Sequence, residues 1–321
     1  MRYYDLTLST QATAGAAYRV VKQWTSHPNG KYDPGAQNIE FDMPITPFTT
    51  PSGNSTIIIE GISLSDLQQD RQFTGLNLEL KAGMGSGLAL SNPLQAGTIA
   101  TGTVWQSFGN WQGTEMALSL IITPSEIYID SPGNVILNWR KGTKLSTALK
   151  QTFATAYPNN KVVMNISDTL VANQDVIGMY ASVSDLAQPV ADITGHMGHR
   201  VFITYHAGNF LIFDDTYKPA PIEIQFVDLV GQPTWIDVNI MQVKLIMRSD
   251  ISVGARIKMP KGLQNAPGLV LTTGTSLPSS VKYKSAFQGE FQIVEARQVG
   301  NFRTPDGTSW VTILNCAVTN G

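Results

Sequence analysis

The spacing of the apolar residues constrains this chain more than any motif in it. In "YYDLTLS", Tyr4, Leu6 and Leu8 fall on every second position, and in "LNLELKAG" so do Leu76, Leu78 and Leu80. "STIIIEGIS", "GTIATGTVW" and "TEMALSLIIT" are β-branched or apolar runs of strand length. Successive side chains of a strand point to opposite faces, so this period specifies sheets with one buried face. The pattern returns from about residue 219 in "IEIQFVDL", "WIDVNIMQVKLIM", "ISVGARIKM", "GEFQIVEARQVGNF" and "SWVTILNCAV". Pro44, Pro47 and Pro51 predict a loop or sheet edge over "MPITPFTTPSGNS". Pro132-Gly133 predicts a type II turn, with glycine taking the positive φ.

Between these regions the period changes. "GTKLSTALKQTFATAYPNN" has Leu145, Leu149 and Phe153 at helical spacing, with Thr143 as the expected N-cap and Pro158-Asn159-Asn160 as the stop. "KVVMNI" reads as a short strand. "SVSDLAQPVADITG" reads as a second helix, capped by Ser182 or Ser184 and stopped by Gly195, with Pro189 in its first turns or at a kink. "RVFITYHAGNFLIFDD" reads as a hairpin over Ala207-Gly208-Asn209. The expected fold class is mainly β with a small α/β insert. The division is a first β domain over 1–138, an α/β insert over 139–218 and a second β domain over 219–321, in keeping with a length of 321 residues.

Charged residues are 14% of the chain, against about 25% in an average soluble protein, and the net charge is −2. A surface poor in solvated charge suits a β-rich structural protein that buries much of itself against partners, and it carries no basic footprint for gripping nucleic acid. The only cysteine, Cys316, excludes an intrachain disulfide and fits assembly in a reducing cytoplasm. "MRYYDLTLST" lacks the apolar core of a secretory signal, and no apolar run is long enough for a spanning helix, so no membrane anchor is expected.

Candidate chemistry is sparse. His196, His199 and His206 cluster in "GHMGHRVFITYH" and are weak candidates for a metal site or a metal-dependent hydrolase; polar loop and strand-end histidines are the favoured reading. Asp214 and Asp215 are adjacent at a strand end, where neighbours face opposite ways, so turn residues are expected rather than a convergent pair. "KAGMGSGLAL", with Gly83, Gly85 and Gly87, lacks the lysine and helix of a phosphate cradle and reads as a bulged strand end. Trp105, Phe108 and Trp111 suit core or interface packing, with stacking on a sugar as the alternative. No nucleophile elbow or His-Glu-x-x-His is present. No catalytic residue, cofactor or enzymatic activity is therefore expected.

"GNFRTPDGTSW" contains Thr304-Pro305-Asp306-Gly307, in which proline presets one turn position and glycine accepts a left-handed one, so the segment reads as a hairpin tip. Its outline recurs: Gly109-Asn110-Trp111 with Gly113-Thr114, and Gly300-Asn301-Phe302 with Gly307-Thr308, each lie between apolar strands. That echo supports two copies of one barrel-like unit, one at each end of the chain.

In these features the chain resembles the baseplate hub proteins of contractile-tailed bacteriophages and related injection systems. The resemblance rests on "FQGEFQIVEARQVGNFRTPDGTSWVTILNC", "DISVGARIKMP", "KGTKLSTALKQTFATAYP" and, at the N-terminus, "YDLTLST", "NIEFDMPI" and "STIIIEGIS". It implies two tube-like β-barrel domains plus an α/β module, and a homotrimer whose six barrels form a ring. Such a ring adapts the sixfold tail tube to the threefold central spike and lines the channel through which DNA passes without specific binding. The implied partners are the tail tube protein, a separate spike protein, other baseplate proteins and the tape measure protein. The implied location is the virion tail, assembled in the host bacterial cytoplasm. The alternative is a β-rich receptor- or carbohydrate-binding tail protein using Trp105 and Trp111.

Overall fold

Strands form where the period-two pattern predicts them. The computed structural model describes the chain except for residues 11–17, 51–54, 69, 86–91, 93–94, 124–134, 261–268, 271–286, 288 and 320–321. The first part contains β1 (Arg2–Ser9), β2 (Val20–Thr25), β3 (Asn38–Ile45), β4 (Ser55–Glu60), a short helix α1 (Leu64–Gln68), β5 (Asn77–Met84), β6 (Gly97–Gln112) and β7 (Glu115–Thr123). The middle contains β8 (Val135–Trp139), α2 (Leu145–Ala156), β9 (Lys161–Asn165), β10 (Val176–Tyr180), α3 (Val183–His196), β11 (Phe202–His206) and β12 (Asn209–Phe213). The last part contains β13 (Ile222–Glu223), β14 (Thr234–Trp235), β15 (Ile240–Ile246), β16 (Arg256–Lys258), β17 (Leu269–Val270), β18 (Glu290–Asn301) and β19 (Trp310–Val318). The fold is mainly β.

The strands of the first and last parts make a single sheet in the order β17-β14-β15-β19-β18-β3-β4-β7-β6-β5-β1-β2, with β16 on β18 and β13 on β16. It curls round two hydrophobic cores. One holds Tyr4, Leu6, Leu8, Phe41, Ile57, Leu80 and Leu120; the other holds Trp235, Val243, Leu245, Phe287, Phe291 and Leu314. A third core lies in the middle part, where Leu145, Leu149 and Phe153 of α2 pack with Leu186 and Val190 of α3 and with Phe210 of β12.

Several local expectations are corrected. Thr143 does not cap α2: the N-cap position is Lys144, and the Thr143 hydroxyl instead donates to the Arg140 carbonyl at 2.6 Å. α3 is capped by Ser182, whose side chain accepts from the Asp185 N–H, but it runs through Gly195. It ends at His196 with Met197 as its C-cap, after which Gly198 takes a φ of 94° and the His199 N–H closes onto the Thr194 carbonyl at 3.1 Å. Pro189 sits in the second turn of the helix, as expected. The β11–β12 loop is two residues, Ala207 and Gly208, both at positive φ, so Asn209 is already strand. "IEIQFVDL" is not one strand: β13 stops at Glu223, and Phe226–Asp228 is a 3-10 turn held by a reciprocal Gln225–Asp228 capping pair. Pro44 lies inside β3, opposite Arg297 of β18. The β3–β4 ladder ends at Asp42, so proline's missing N–H costs no bond on that side. Pro51, Pro132 and Gly133 lie outside the described residues.

Candidate assembly interface

The two β units meet through backbone and core together. Beyond its bulge, β18 pairs antiparallel with β3 from Ala296 opposite Ile45 to Asn301 opposite Glu40. Arg297 and Asp42 form a two-pronged ion pair across this seam, with Nε to Oδ1 at 2.6 Å, and the pair holds the guanidinium pKa above its usual value. Gly300 lies opposite Phe41, and a Cβ there would sit 2.2 Å from the ring. No side chain fits, so the two strands close over a buried phenyl group.

The tip of the β18–β19 hairpin enters the first unit's core. Phe302 and Trp310 are 8% and 4% exposed and belong to the cluster of Tyr4 and Phe41. Ring centroids lie 5.0 Å apart for Tyr4–Phe302 and 5.4 Å for Phe41–Trp310, both edge-to-face. The Trp310 indole donates to the Gly83 carbonyl of β5 at 2.9 Å.

Arg2 clamps this tip from outside. Its guanidinium donates to the carbonyls of Asn301 (2.6 Å), Thr304 and Asp306 (2.7 Å) and to the Ser309 hydroxyl (2.9 Å). Burial lowers its pKa, so the loop carbonyls take the place of lost water. An arginine at the second residue looks like a solvated start, and nothing in its local sequence marks this role. Arg303 ties the tip to the first unit: its Nη2 donates to the carbonyls of Pro34 (2.9 Å) and Ala36, and its backbone N–H to Asn38 Oδ1 (3.0 Å). The turn itself closes as an Asx turn. Asp306 accepts from the N–H and hydroxyl of Thr308, which hold its carboxyl below the usual range, and Gly307 is not left-handed.

A buried polar network joins the units at a second place. Arg248 is shielded from solvent, donates to both oxygens of Asp250 at 2.7 Å and lies 3.5 Å from Asp228. Asp228 accepts from Gln95 of the first unit at 3.1 Å, while Ser249 donates through its N–H and hydroxyl to the Gln95 carbonyl. Gln298 donates to the Arg248 carbonyl and accepts from Thr312. Arg248 Nη1 is buried and makes only the longer ion-pair contact with Asp228, while the network's remaining hydrogen bonds align the two units.

The first unit's own hairpin is differently placed. β5 pairs with β6 only as far as Thr103, and β7 is the only strand alongside the rest of β6 among the described residues. Trp105, Phe108 and Trp111 are 50%, 43% and 62% exposed, so they are not core residues.

The histidines do not assemble. His196 is exposed at the end of α3. His206 packs where β11 meets the first unit, beside Thr101, whose hydroxyl lies 2.9 Å from that of Tyr205. One ring nitrogen of His206 bonds the Ile99 backbone, Nε2 is buried without a partner, and burial pushes its pKa down to about 4. His199 pairs instead with Asp215, Nδ1 to Oδ1 at 2.7 Å, a contact that raises its pKa. Asp214 and Asp215 do converge, against expectation, because β12 ends at Phe213 and the pair lies in a turn. The ligand atoms of His199, Asp214 and Asp215 all fall within 4.8 Å of one another. Asp214 is fully engaged in chain folding, accepting from the N–H groups of Ser167 (2.6 Å) and Thr216 (2.9 Å) and from the Thr216 hydroxyl. Gly83, the penultimate residue of β5, lies against Ala96; Gly87 lies outside the described residues. Cys316 is buried, and burial raises its thiol pKa. Among the described residues, no helix is long and apolar enough to cross a membrane.

No family model matches the sequence, and neither does any curated protein. Solved structures do match in fold. The 43 kDa tail protein of prophage MuSo2 from Shewanella oneidensis is similar with a TM-score of 0.51 and 10% identity, over 99% of this chain and 98% of its own. A tail protein from Neisseria meningitidis gives a TM-score of 0.49 at 10% identity, over 98% and 96% of the two chains. An Escherichia coli component of the type VI secretion system, described as structurally similar to the T4 tail proteins gp27 and gp5, gives 0.48 at 10%, over 88% and 74%. From end to end, this chain has the fold of the MuSo2 phage tail protein.

Proposed function

We propose that this chain is a structural hub protein of a contractile tail baseplate. In this reading three copies form a ring of six β units, which meets the sixfold tail tube on one side and the threefold central spike on the other. The division 1–138, 139–218 and 219–321 gives the first tube-like domain, α/β insert and second tube-like domain, except that β8 (Val135–Trp139), which pairs with β10 and packs in the third core, goes with the insert. Other baseplate proteins and the tape measure protein dock around the ring, and DNA passes through its lumen. The protein works in the virion tail after assembly in the host cytoplasm.

One observation carries the reading: β18 and β3 join two β units into one sheet within a single chain. A sheet that continues from unit to unit is what a tube wall needs, since each junction removes a pair of exposed strand edges. The fold shared with the MuSo2 tail protein supports it. The test is native mass spectrometry and electron microscopy of the chain expressed with its genomic neighbours. Three copies in a ring of six lobes are expected; a chain that stays monomeric in the assembled particle as well as alone would refute the reading.

The exposed Trp105, Phe108 and Trp111 give one observation in favour of a glycan-binding tail protein. Glycan-array binding lost on Trp111→Ala would establish that reading.

A further inference from the structure

The middle part leaves one strand edge bare. β8 pairs with β10 on one side and, among the described residues, has no strand on the other. Its burial alternates: Val135, Leu137 and Trp139 fill the third core, while Ile136 and Asn138 face out. The outward face is mostly apolar. Ile136 stands opposite Met179 and Asn138 opposite Ile177 across the ladder, and Ile136, Ile177 and Met179 are 49%, 57% and 70% exposed. Large apolar side chains grouped at this exposure mark a contact surface.

The bare edge adjoins a groove. Ala148, Gln151, Thr152 and Thr155 recur at helical spacing along one stripe of α2, and with Ile136 and Asn138 they line a volume of about 210 Å3. The Thr152 hydroxyl donates to the Ile136 carbonyl at 2.8 Å, so that carbonyl points away from β10 and towards α2. In an antiparallel ladder the N–H and C=O of one residue point to the same side, and those of every second residue agree. Ile136 and Asn138 therefore both present their backbone groups to the groove, while Leu137 and Trp139 direct theirs to β10.

Two features identify the occupant. A row of backbone donors and acceptors beside a helix is completed by one extended strand. Among the described residues no ionisable group lines the groove, so the strand sets uncharged side chains against α2, where a charge would lose its water without gaining a partner. A second β8 is excluded: it carries its own α2 along the same edge, and the two helices would collide beneath one ladder.

We propose that the β8 edge is a strand-addition site, where an extended, uncharged segment of a second protein pairs with Ile136 and Asn138 and lies along α2. Its inward side chains rest on Ala148, Thr152 and Thr155, and its outward ones continue the apolar face of Ile136, Met179 and Ile177. The added strand closes an edge that is otherwise open to unwanted pairing. The site belongs to the insert and does not depend on the ring reading above.

Backbone hydrogen exchange in the full chain tests this residue by residue. Alone, the Ile136 and Asn138 amides should exchange faster than those of Leu137 and Trp139. The probe is a short peptide of alternating threonine and valine with a lysine at each end, acetylated and amidated. At saturation it should slow the Ile136 and Asn138 amides at least about tenfold and leave Leu137 unchanged. Asn138→Pro removes a donor on the free side and no bond to β10, so it should keep the fold and weaken the peptide at least about tenfold. Thr155→Lys, at an exposed position of α2, should weaken it as much by placing a charge in the groove. In the assembled particle, a photo-crosslinking benzoylphenylalanine in place of Gln151 should join a segment of that kind in a different protein. Amides of Ile136 and Asn138 that the peptide leaves unchanged overturn the proposal, as does a peptide affinity that neither variant alters. Slow exchange at both amides in the dilute chain alone, or protection that rises with the chain's own concentration, also overturns it, since this chain then covers its own edge. Cross-links from position 151 only to this chain do the same. If Asn138→Pro fails to fold, Thr155→Lys decides.

Discussion

Trp310 belongs to the second unit by sequence and to the first unit's core by position, so its removal should damage strands far from it in the chain. Replacing it with alanine deletes a buried indole, at a cost of about 3–5 kcal/mol including the cavity. The Gly83 carbonyl loses its donor at 2.9 Å, which adds about 1–3 kcal/mol for a buried acceptor left unpaired. Set against a typical stability of about 5–15 kcal/mol, this is a large fraction. Trp310→Phe keeps a ring beside Phe41 and Phe302 and loses the hydrogen bond, so it should cost the smaller part. Native-state hydrogen exchange separates the explanations. If the tip is core, Trp310→Ala should lower protection in β3 around Phe41 and in β5 around Leu80–Gly83, as well as in β18 and β19. The α2 and α3 amides, which serve the third core, should change least. Faster exchange confined to residues 290–318, with β3 and β5 unchanged, would refute the reasoning.

The two glycines of the repeat should answer alanine differently. At Gly300 the new Cβ would lie 2.2 Å from a buried phenyl ring, and about 1–3 kcal/mol of overpacking is expected. At Gly109 it would meet the more exposed Leu67 side chain at 2.4 Å, which can move, so thermal denaturation should show the larger loss for Gly300→Ala. His206 should make stability depend on pH. Its folded pKa of about 4 lies below the ordinary 6.5, so between these values the unfolded chain binds the extra proton and stability falls as pH falls. The full loss is on the order of 3 kcal/mol: this stability is intact above pH 6.5 and gone by about pH 4. Urea denaturation at pH 7 and pH 4.5 should show this drop in the wild type and a reduced one in His206→Gln; equal drops would exclude His206 as the cause.

What the sequence made legible was whatever depends on local period. Tyr4, Leu6 and Leu8 face the core because alternate residues of one strand must, and Leu145, Leu149 and Phe153 are buried together because helical spacing puts them on one stripe. The turn at Ala207-Gly208 and the Ser182 cap followed from residue chemistry at a single place. The misses concern competition between neighbours. Thr143 is a good cap by composition, but its hydroxyl is satisfied by the Arg140 carbonyl, and Gly195 yields to Gly198 because the helix runs on through His196 and closes at the left-handed glycine. Asp214 and Asp215 converge because the strand ends one residue before them. Arg2 was invisible because its partners lie about 300 residues away, brought together only by the long-range pairing of β1 with β5 and of β18 with β3.

The weak echo between "GNWQGT" and "GNFRTPDGT" also changes meaning once the strands are placed. A match of a few residues is close to chance in sequence, but here it falls on corresponding strands with corresponding neighbours. The longer loop of the second copy supplies what the first lacks: Arg303 to reach Pro34, Ala36 and Asn38, and carbonyls for Arg2 to gather. Those contacts exist because the second unit's neighbour is in the same chain and its position is fixed by covalent connection. A tip whose neighbour is another molecule has no such connection, and must gain its hold from side chains it carries itself. The first hairpin has a two-residue turn at Gly113-Thr114 and three large aromatics instead of a clamp. Inside the chain the second unit's tip is covered by the first unit's β3 and core, while the first unit's tip leaves Trp111 62% exposed. Aromatic side chains left this exposed are an aggregation risk unless something covers them, and the exposure of Trp105, Phe108 and Trp111 is therefore the feature of the first hairpin that most needs a partner.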